Sequence, residues 1–145
     1  MFLGSVMGLS VERAVHARID RVWAVLTDPP DWPRWTESMS EVRLLDGGLA
    51  PGSRVRIVQP RLPPMIWTVT ELVPERELTW VTSAAGVITT GSHSLRPGAG
   101  GTTHLRLGLD HRGVLAPLVR GLLGPRTRRY VELEADGLRR AAEDE

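Results

Sequence analysis

Histidine and tryptophan are the residue types through which this 145-residue chain could do chemistry: four of the first and five of the second. His93 is the titratable group to follow. It lies in Thr89-Thr90-Gly91-Ser92-His93-Ser94-Leu95, where period-two alternation sets it on one strand face with Thr89 and Leu95. A histidine on an apolar face needs a hydrogen-bond partner. One reading makes it an acid/base, or a donor to a ligand carbonyl, because an ordinary pKa of about 6.5 lets it work in either direction near neutrality. The other makes it a core histidine bonded to a neighbouring hydroxyl or carbonyl.

Five of the seven aromatic residues are indoles, with one Phe and one Tyr, so the large flat surfaces are almost all tryptophan. Alternation through Leu78-Thr79-Trp80-Val81-Thr82 puts Trp80 beside Leu78 and Thr82, as a cavity wall or as plain core. Trp67 shares a face with Met65 and Val69. An indole beside a flexible thioether suits an adaptable apolar pocket, and equally an ordinary core. Trp23 sits in a helical stripe, and Trp32 and Trp35 in a Pro-bounded turn, where they are expected to pin short helices as scaffold. Tyr130 either aims its hydroxyl at a cavity or caps its edge.

Several chemistries are excluded. All eighteen basic residues are Arg, so no lysine Schiff base or P-loop lysine is available. The absence of Cys removes thiol catalysis, disulfides and cysteine-ligated metal. Scattered histidines without His-x-x-x-His or Glu-x-x-His spacing argue against a metal site. No Gly-x-Ser-x-Gly elbow exists, since Gly91-Ser92-His93 lies inside a strand, and no helix follows Gly98-Ala99-Gly100-Gly101 to make a phosphate loop. A net charge of +1 gives no nucleic-acid footprint. Arg54 and Arg56 alternate with Val55 and Ile57 and are expected on the outer face, with Arg61 nearby. Arg120, Arg126, Arg128 and Arg129 are followed by Glu132, Glu134 and Asp136, a pattern that predicts local ion pairs along a helix. His104, Arg106, Gly108 and Asp110 alternate outward against Thr103, Leu105, Leu107 and Leu109, while His16 and His111 fall near strand ends.

The elements that must position these groups are readable from periodicity. Leu9 to Ala17 alternates as a first strand; Ile19, Val22, Trp23 and Leu26 form a helical stripe ending near Asp28; and Asp31-Trp32-Pro33-Arg34-Trp35 reads as a second, short helical turn. Six strand-like runs follow, at 40–45, 54–59, 66–73, 77–83, 87–96 and 103–110, separated by Gly and Pro turns. From Val114 onward helical spacing returns, with Leu115, Leu118, Val119, Leu122 and Leu123 and then Val131, Ala135, Leu138 and Ala142. Gly121, Gly124 and Pro125 predict an interruption there, with a softer N-terminal and a firmer C-terminal piece. The length suits one domain, expected over 10–145 behind a short extension at 1–9. Those first residues have no basic n-region and are too short to span a bilayer, so the expectation is a cytoplasmic protein without integral membrane association.

The chain resembles the START-like, or Bet v 1-like, superfamily and within it the polyketide cyclase/dehydrase and lipid transport branch. The resemblance rests on Val22-Trp23-Ala24-Val25-Leu26-Thr27-Asp28 with Trp32-Pro33-Arg34-Trp35, on Pro51-Gly52 before a strand, on Leu78-Thr79-Trp80, on Gly91-Ser92-His93 with Leu95, and on the glycine-rich 98–103 run. It implies an α+β helix-grip fold: a curved antiparallel sheet of about seven strands around a long C-terminal helix, with two short helices after the first strand and an internal cavity. The function it implies is binding of a small hydrophobic or amphipathic ligand, such as a lipid, isoprenoid or polyketide. The alternative is cyclase or aromatase-like action on a polyketide chain, with His93 catalytic. No cofactor is implied. The residues expected around the ligand are Met65, Trp67, Val69, Trp80, Thr89, His93, Leu107, Leu118, Leu122 and Tyr130.

Overall fold

Period-two alternation yields seven strands and helical periodicity two α-helices in the computed structural model, which describes residues 8–84 and 86–144. The strands are β1 (Leu9–Val15), β2 (Glu41–Leu44), β3 (Arg54–Val58), β4 (Met65–Val73), β5 (Glu77–Ala84), β6 (Val87–Pro97) and β7 (Thr103–Arg112). Between β1 and β2 come helix α1 (Ile19–Leu26) and a 3-10 helix (Pro29–Arg34), and the chain closes with helix α2 (Ala116–Glu143). Of the expected extension at 1–9, residues 1–7 lie outside the described residues, and Leu9 already opens β1.

All pairings are antiparallel, in the order β1-β7-β6-β5-β4-β3-β2. The hairpins from β2 to β7 need only short turns, whereas β1 and β2 are opposite edges. The α1 and 3-10 segment therefore has to cross from one edge to the other. Its residues make that crossing cohesive: Val22 and Leu26 are buried on one side of α1, and Pro29-Pro30 ends the helix and starts the 3-10 turn. Trp32 is buried completely.

Directly paired residues share a face, so the register writes out the inner surface. One row reads Val69, Trp80, Gly91, Leu109; the next reads Leu78, His93, Leu107, Val11; a third reads Thr82, Thr89, His111. The outer face is polar, as expected from alternation, with Arg54 paired to Asp46 at 3.0 Å and Arg56 to Glu41 at 3.2 Å. Gly91 has a specific reason to be glycine: a Cβ there would stand 3.1 Å from Trp80 Nε1 and 3.2 Å from its Cδ1. A register shift between Val69 and Glu71 bends β4.

Helix α2 differs from expectation in one respect. Pro125 lies inside a single continuous helix, and the interruption expected at Gly121, Gly124 and Pro125 does not occur. Proline costs one ladder hydrogen bond and crowds the carbonyl four residues earlier, that of Gly121. Over twenty-eight residues the flanking turns bridge that defect. The two halves differ in burial: Val131, Glu134, Ala135, Gly137, Leu138 and Ala142 are buried, while Leu118 and Leu122 are exposed. No helix among the described residues is long and apolar enough to cross a membrane.

Candidate functional site

Between the inner face of the sheet and α2 lies a cavity of about 460 Å³, within the ordinary range for small-molecule sites. Its walls come from β4 (Met65, Trp67), β5 (Trp80, Thr82), β6 (Thr89, Gly91, His93), β7 (Leu107, Leu109, His111) and α2 (Leu118, Val119, Leu123, Thr127, Tyr130, Val131, Glu134). Gln59, Leu62 and Pro63 close the side between β3 and β4, where the Tyr130 hydroxyl donates to the Pro60 carbonyl and ties α2 to that loop.

Of the ten residues expected around a ligand, Met65, Trp67, Trp80, Thr89, His93, Leu107, Leu118 and Tyr130 line this cavity. Val69 and Leu122 do not. Val69 pairs with Trp80 in the sheet and is fully buried in the core cluster. Leu122 points away from the sheet and is 71% exposed, because the side of α2 that faces inward carries Val119 and Leu123 instead.

The polar end of the chamber is built on His93. Its Nδ1 lies 2.9 Å from the Leu78 carbonyl and its Nε2 lies 3.0 Å from Glu134 Oε2. A carbonyl only accepts, so Nδ1 carries a hydrogen. The contact between Nε2 and Oε2 then holds one further proton, carried either by the imidazole beside a carboxylate or by the carboxyl beside a neutral ring. Burial pushes the imidazole pKa down, but Glu134, the Leu78 carbonyl and the charge of Glu77 outweigh it, and the His93 value is raised. The ion-paired form, with both ring nitrogens protonated, is the favoured one.

This pair stands in an aromatic enclosure. The Trp80 ring meets His93 edge-on at 5.2 Å, Trp32 lies 5.4 Å from His93 and 5.5 Å from Trp80, and Trp67 lies 6.2 Å from Trp80. Trp32 is thus more than scaffold for the short helices, since it backs both the histidine and the cavity indole. Trp35 keeps the expected scaffold role, against Trp32 at 5.6 Å and beneath α2, where a Cβ on Gly137 would come within 2.2 Å of the Trp35 carbonyl.

A second histidine also lines the cavity, toward its open end. Thr89 Oγ1 lies 2.9 Å from His111 Nδ1, and Arg120 donates to the His111 carbonyl. Burial first, and the Arg120 charge second, hold the His111 imidazole below its ordinary pKa. Neither Glu134 nor His111 is among the residues expected around a ligand. The sequence places Glu134 among local helix ion pairs, and the structure corrects this: it is three residues from Val131 on the buried stripe and bonds His93. Asp136 is likewise taken, by Arg13 at 2.8 Å. Arg126, Arg128 and Arg129 make no ion pair among the described residues, even with Glu132 within one turn of the last two, so the local pairing expected from the sequence does not form. Among the described residues no group of three or more acidic or histidine side chains is placed to hold a metal ion.

Comparison with known proteins adds the following. A family model described as polyketide cyclase/dehydrase and lipid transport matches residues 8–143. No curated protein sequence matches the chain. Among solved structures, a START superfamily protein from Mycobacterium smegmatis is similar with a TM-score of 0.68 at 16% identity, over 94% of each chain. Truncated norcoclaurine synthase from Thalictrum flavum has a TM-score of 0.74 at 15% identity, over 100% of this chain and 99% of that one. The di-domain ARO/CYC BexL of the BE-7585A biosynthetic pathway has a TM-score of 0.69 at 19% identity, over 92% of this chain and 46% of its own. At these identities the likeness is one of fold, and it is the helix-grip fold expected from the sequence.

Proposed function

The chain belongs to the polyketide cyclase/dehydrase and lipid transport family, and from that premise we propose that it binds one small hydrophobic or amphipathic molecule inside the cavity: a lipid, an isoprenoid or a polyketide-like compound. The observation that carries the reading is an apolar chamber of about 460 Å³ with a buried ionisable pair at its inner end. Apolar burial supplies the affinity, at about 0.8 kcal/mol per methylene removed from water, enough for micromolar binding by a ligand of modest size. Met65, Trp67, Trp80, Leu107 and Leu118 supply that surface. His93 with Glu134, and Thr89 with Tyr130 nearer the rim, give the ligand's polar groups their partners. The proposed setting is the cytoplasm, where a chain without cysteine loses nothing to a reducing environment.

One feature favours a second reading, in which a reactive polyketide chain is folded and cyclised in the same chamber. The proton between His93 Nε2 and Glu134 Oε2 is the exchangeable one, because Nδ1 is committed to the Leu78 carbonyl. A ketone reaching Nε2 would be polarised or protonated there, with Glu134 stabilising the imidazolium, and the walls would supply positioning and water exclusion.

Tryptophan fluorescence tests both readings. Titration with oleic acid, farnesol and 1-naphthol, as lipid, isoprenoid and polyketide-like probes, is expected to give saturable quenching or a spectral shift at one molecule per chain for at least one probe. A flat response to all three would refute binding. A synthetic poly-β-ketone thioester completes the set: recovery of cyclised product faster than in buffer, lost in His93→Ala, supports catalysis, and recovery at the buffer rate limits the function to binding.

A further inference from the structure

The segment between Asp110 and Glu132 holds five arginines and not one acidic residue. Of the first three carboxylates that follow it, Glu134 bonds His93, Asp136 pairs with Arg13, and Glu132 makes no ion pair with Arg128 or Arg129 among the described residues. The same segment also exposes apolar surface that the sheet does not cover: Val114 is 88%, Leu118 55% and Leu122 71% exposed. Leu115, Leu118, Leu122, Arg126 and Arg129 recur at spacings of three, four, four and three, which makes one stripe along the helix, apolar at its start and cationic at its end. Leu115 and Leu118 at the head of that stripe also line the cavity, so the stripe runs up to the cavity mouth.

From this juxtaposition we propose that the first half of α2, together with Val114, is a peripheral docking surface for an anionic lipid bilayer. The apolar side chains insert at the level of the acyl boundary, and Arg126 and Arg129 meet phosphate headgroups. Charge decides the occupant. A second copy of this chain would bring the same acid-free, five-arginine segment against itself, whereas an anionic leaflet offers both the negative charge and the apolar medium that the stripe presents. Docked in this way, the mouth of the cavity faces the bilayer, and an apolar molecule passes between the two without crossing bulk water.

The proposal stands apart from the identity of the cavity ligand and is tested without it. The full chain is co-sedimented with vesicles of phosphatidylcholine alone and of phosphatidylcholine with phosphatidylglycerol, at low and high salt. Binding is expected for the anionic vesicles only, weakened by salt. R126Q/R129Q is expected to lower the affinity roughly twenty-fivefold, at about fivefold per arginine. V114S/L122S alters residues outside the cavity lining and is expected to abolish sedimentation while leaving thermal unfolding unchanged. The proposal is overturned by equal binding to both vesicle types, by no binding at low salt, or by variants that sediment like the parent. It is also overturned if analytical ultracentrifugation finds a dimer that V114S/L122S dissolves, since the stripe would then be covered by a second copy.

Discussion

Helix α2 passes through two environments. From Val131 to Ala142 it is pressed into the sheet and the α1 region, with Leu138 and Ala135 fully buried, Gly137 against the Trp35 backbone and Glu134 bonded to His93. From Ala116 to Tyr130 it lies over the cavity, is tied down by Arg120 on the His111 carbonyl and Tyr130 on the Pro60 carbonyl, and leaves leucines in solvent. The contrast separates two tasks that one helix performs. Its second half contributes cohesion and the buried polar pair, while its first half forms a roof whose apolar residues are divided between chamber and solvent. Local stability follows apolar contact, so the roof is the part expected to open at low cost.

Truncation and glycine substitution probe that division. Trp32→Ala removes the fully buried ring that backs both His93 and Trp80, and is expected to cost about 3–5 kcal/mol in chemical denaturation. A loss below 1 kcal/mol would mean that the inner end is not the cohesive one. Next in size is an opposed pair of identical substitutions. At Gly137 a new Cβ would meet Trp35 O at 2.2 Å and Trp35 Cε3 at 2.7 Å, and at Gly121 nothing lies within 4 Å. Gly137→Ala is therefore expected to destabilise by about 1–3 kcal/mol. Gly121→Ala is expected to stabilise by about 0.5–1 kcal/mol through helix propensity alone. Equal signs for the two variants would erase the contrast between the halves.

Much of this arrangement is legible in the residue pattern, and the exceptions have identifiable causes. Alternation in β4 and β5 places Met65, Trp67 and Trp80 inward, and the same rule places His93. Carried one step past Leu109, it also places His111 inward, although its position at a strand end argued for the rim. Glu134 was hidden by its charge: among Glu132 and Asp136 it resembles a solvated face, yet its spacing from Val131 and Leu138 belongs to the buried stripe. Trp32 sits in a 3-10 helix, whose few residues carry no period long enough to assign a face. Leu122 fails for the opposite reason, since leucines at 115, 118, 122 and 123 make an apolar arc wider than the sheet covers, and spacing alone does not say which edge of the arc faces in.

The two histidines condense the comparison into one observable. His93 is raised by Glu134 against its burial, and His111 is lowered by burial and Arg120. The His93 contribution to stability is fully present below the ordinary value of about 6.5 and is lost as pH rises through the higher folded value. For His111 the sign is reversed: the fold favours the neutral ring, and a penalty grows as pH falls from about 6.5 through the lower folded value. Nitrogen chemical shifts of the imidazole rings, followed through a pH titration, read both groups in one experiment. His93 is expected to stay protonated at Nδ1 throughout and to titrate above about 6.5, with His111 titrating below it. A His93 that titrates at or below that value, or whose neutral form carries its hydrogen on Nε2, would contradict the proton-sharing pair on which the reading of the cavity rests.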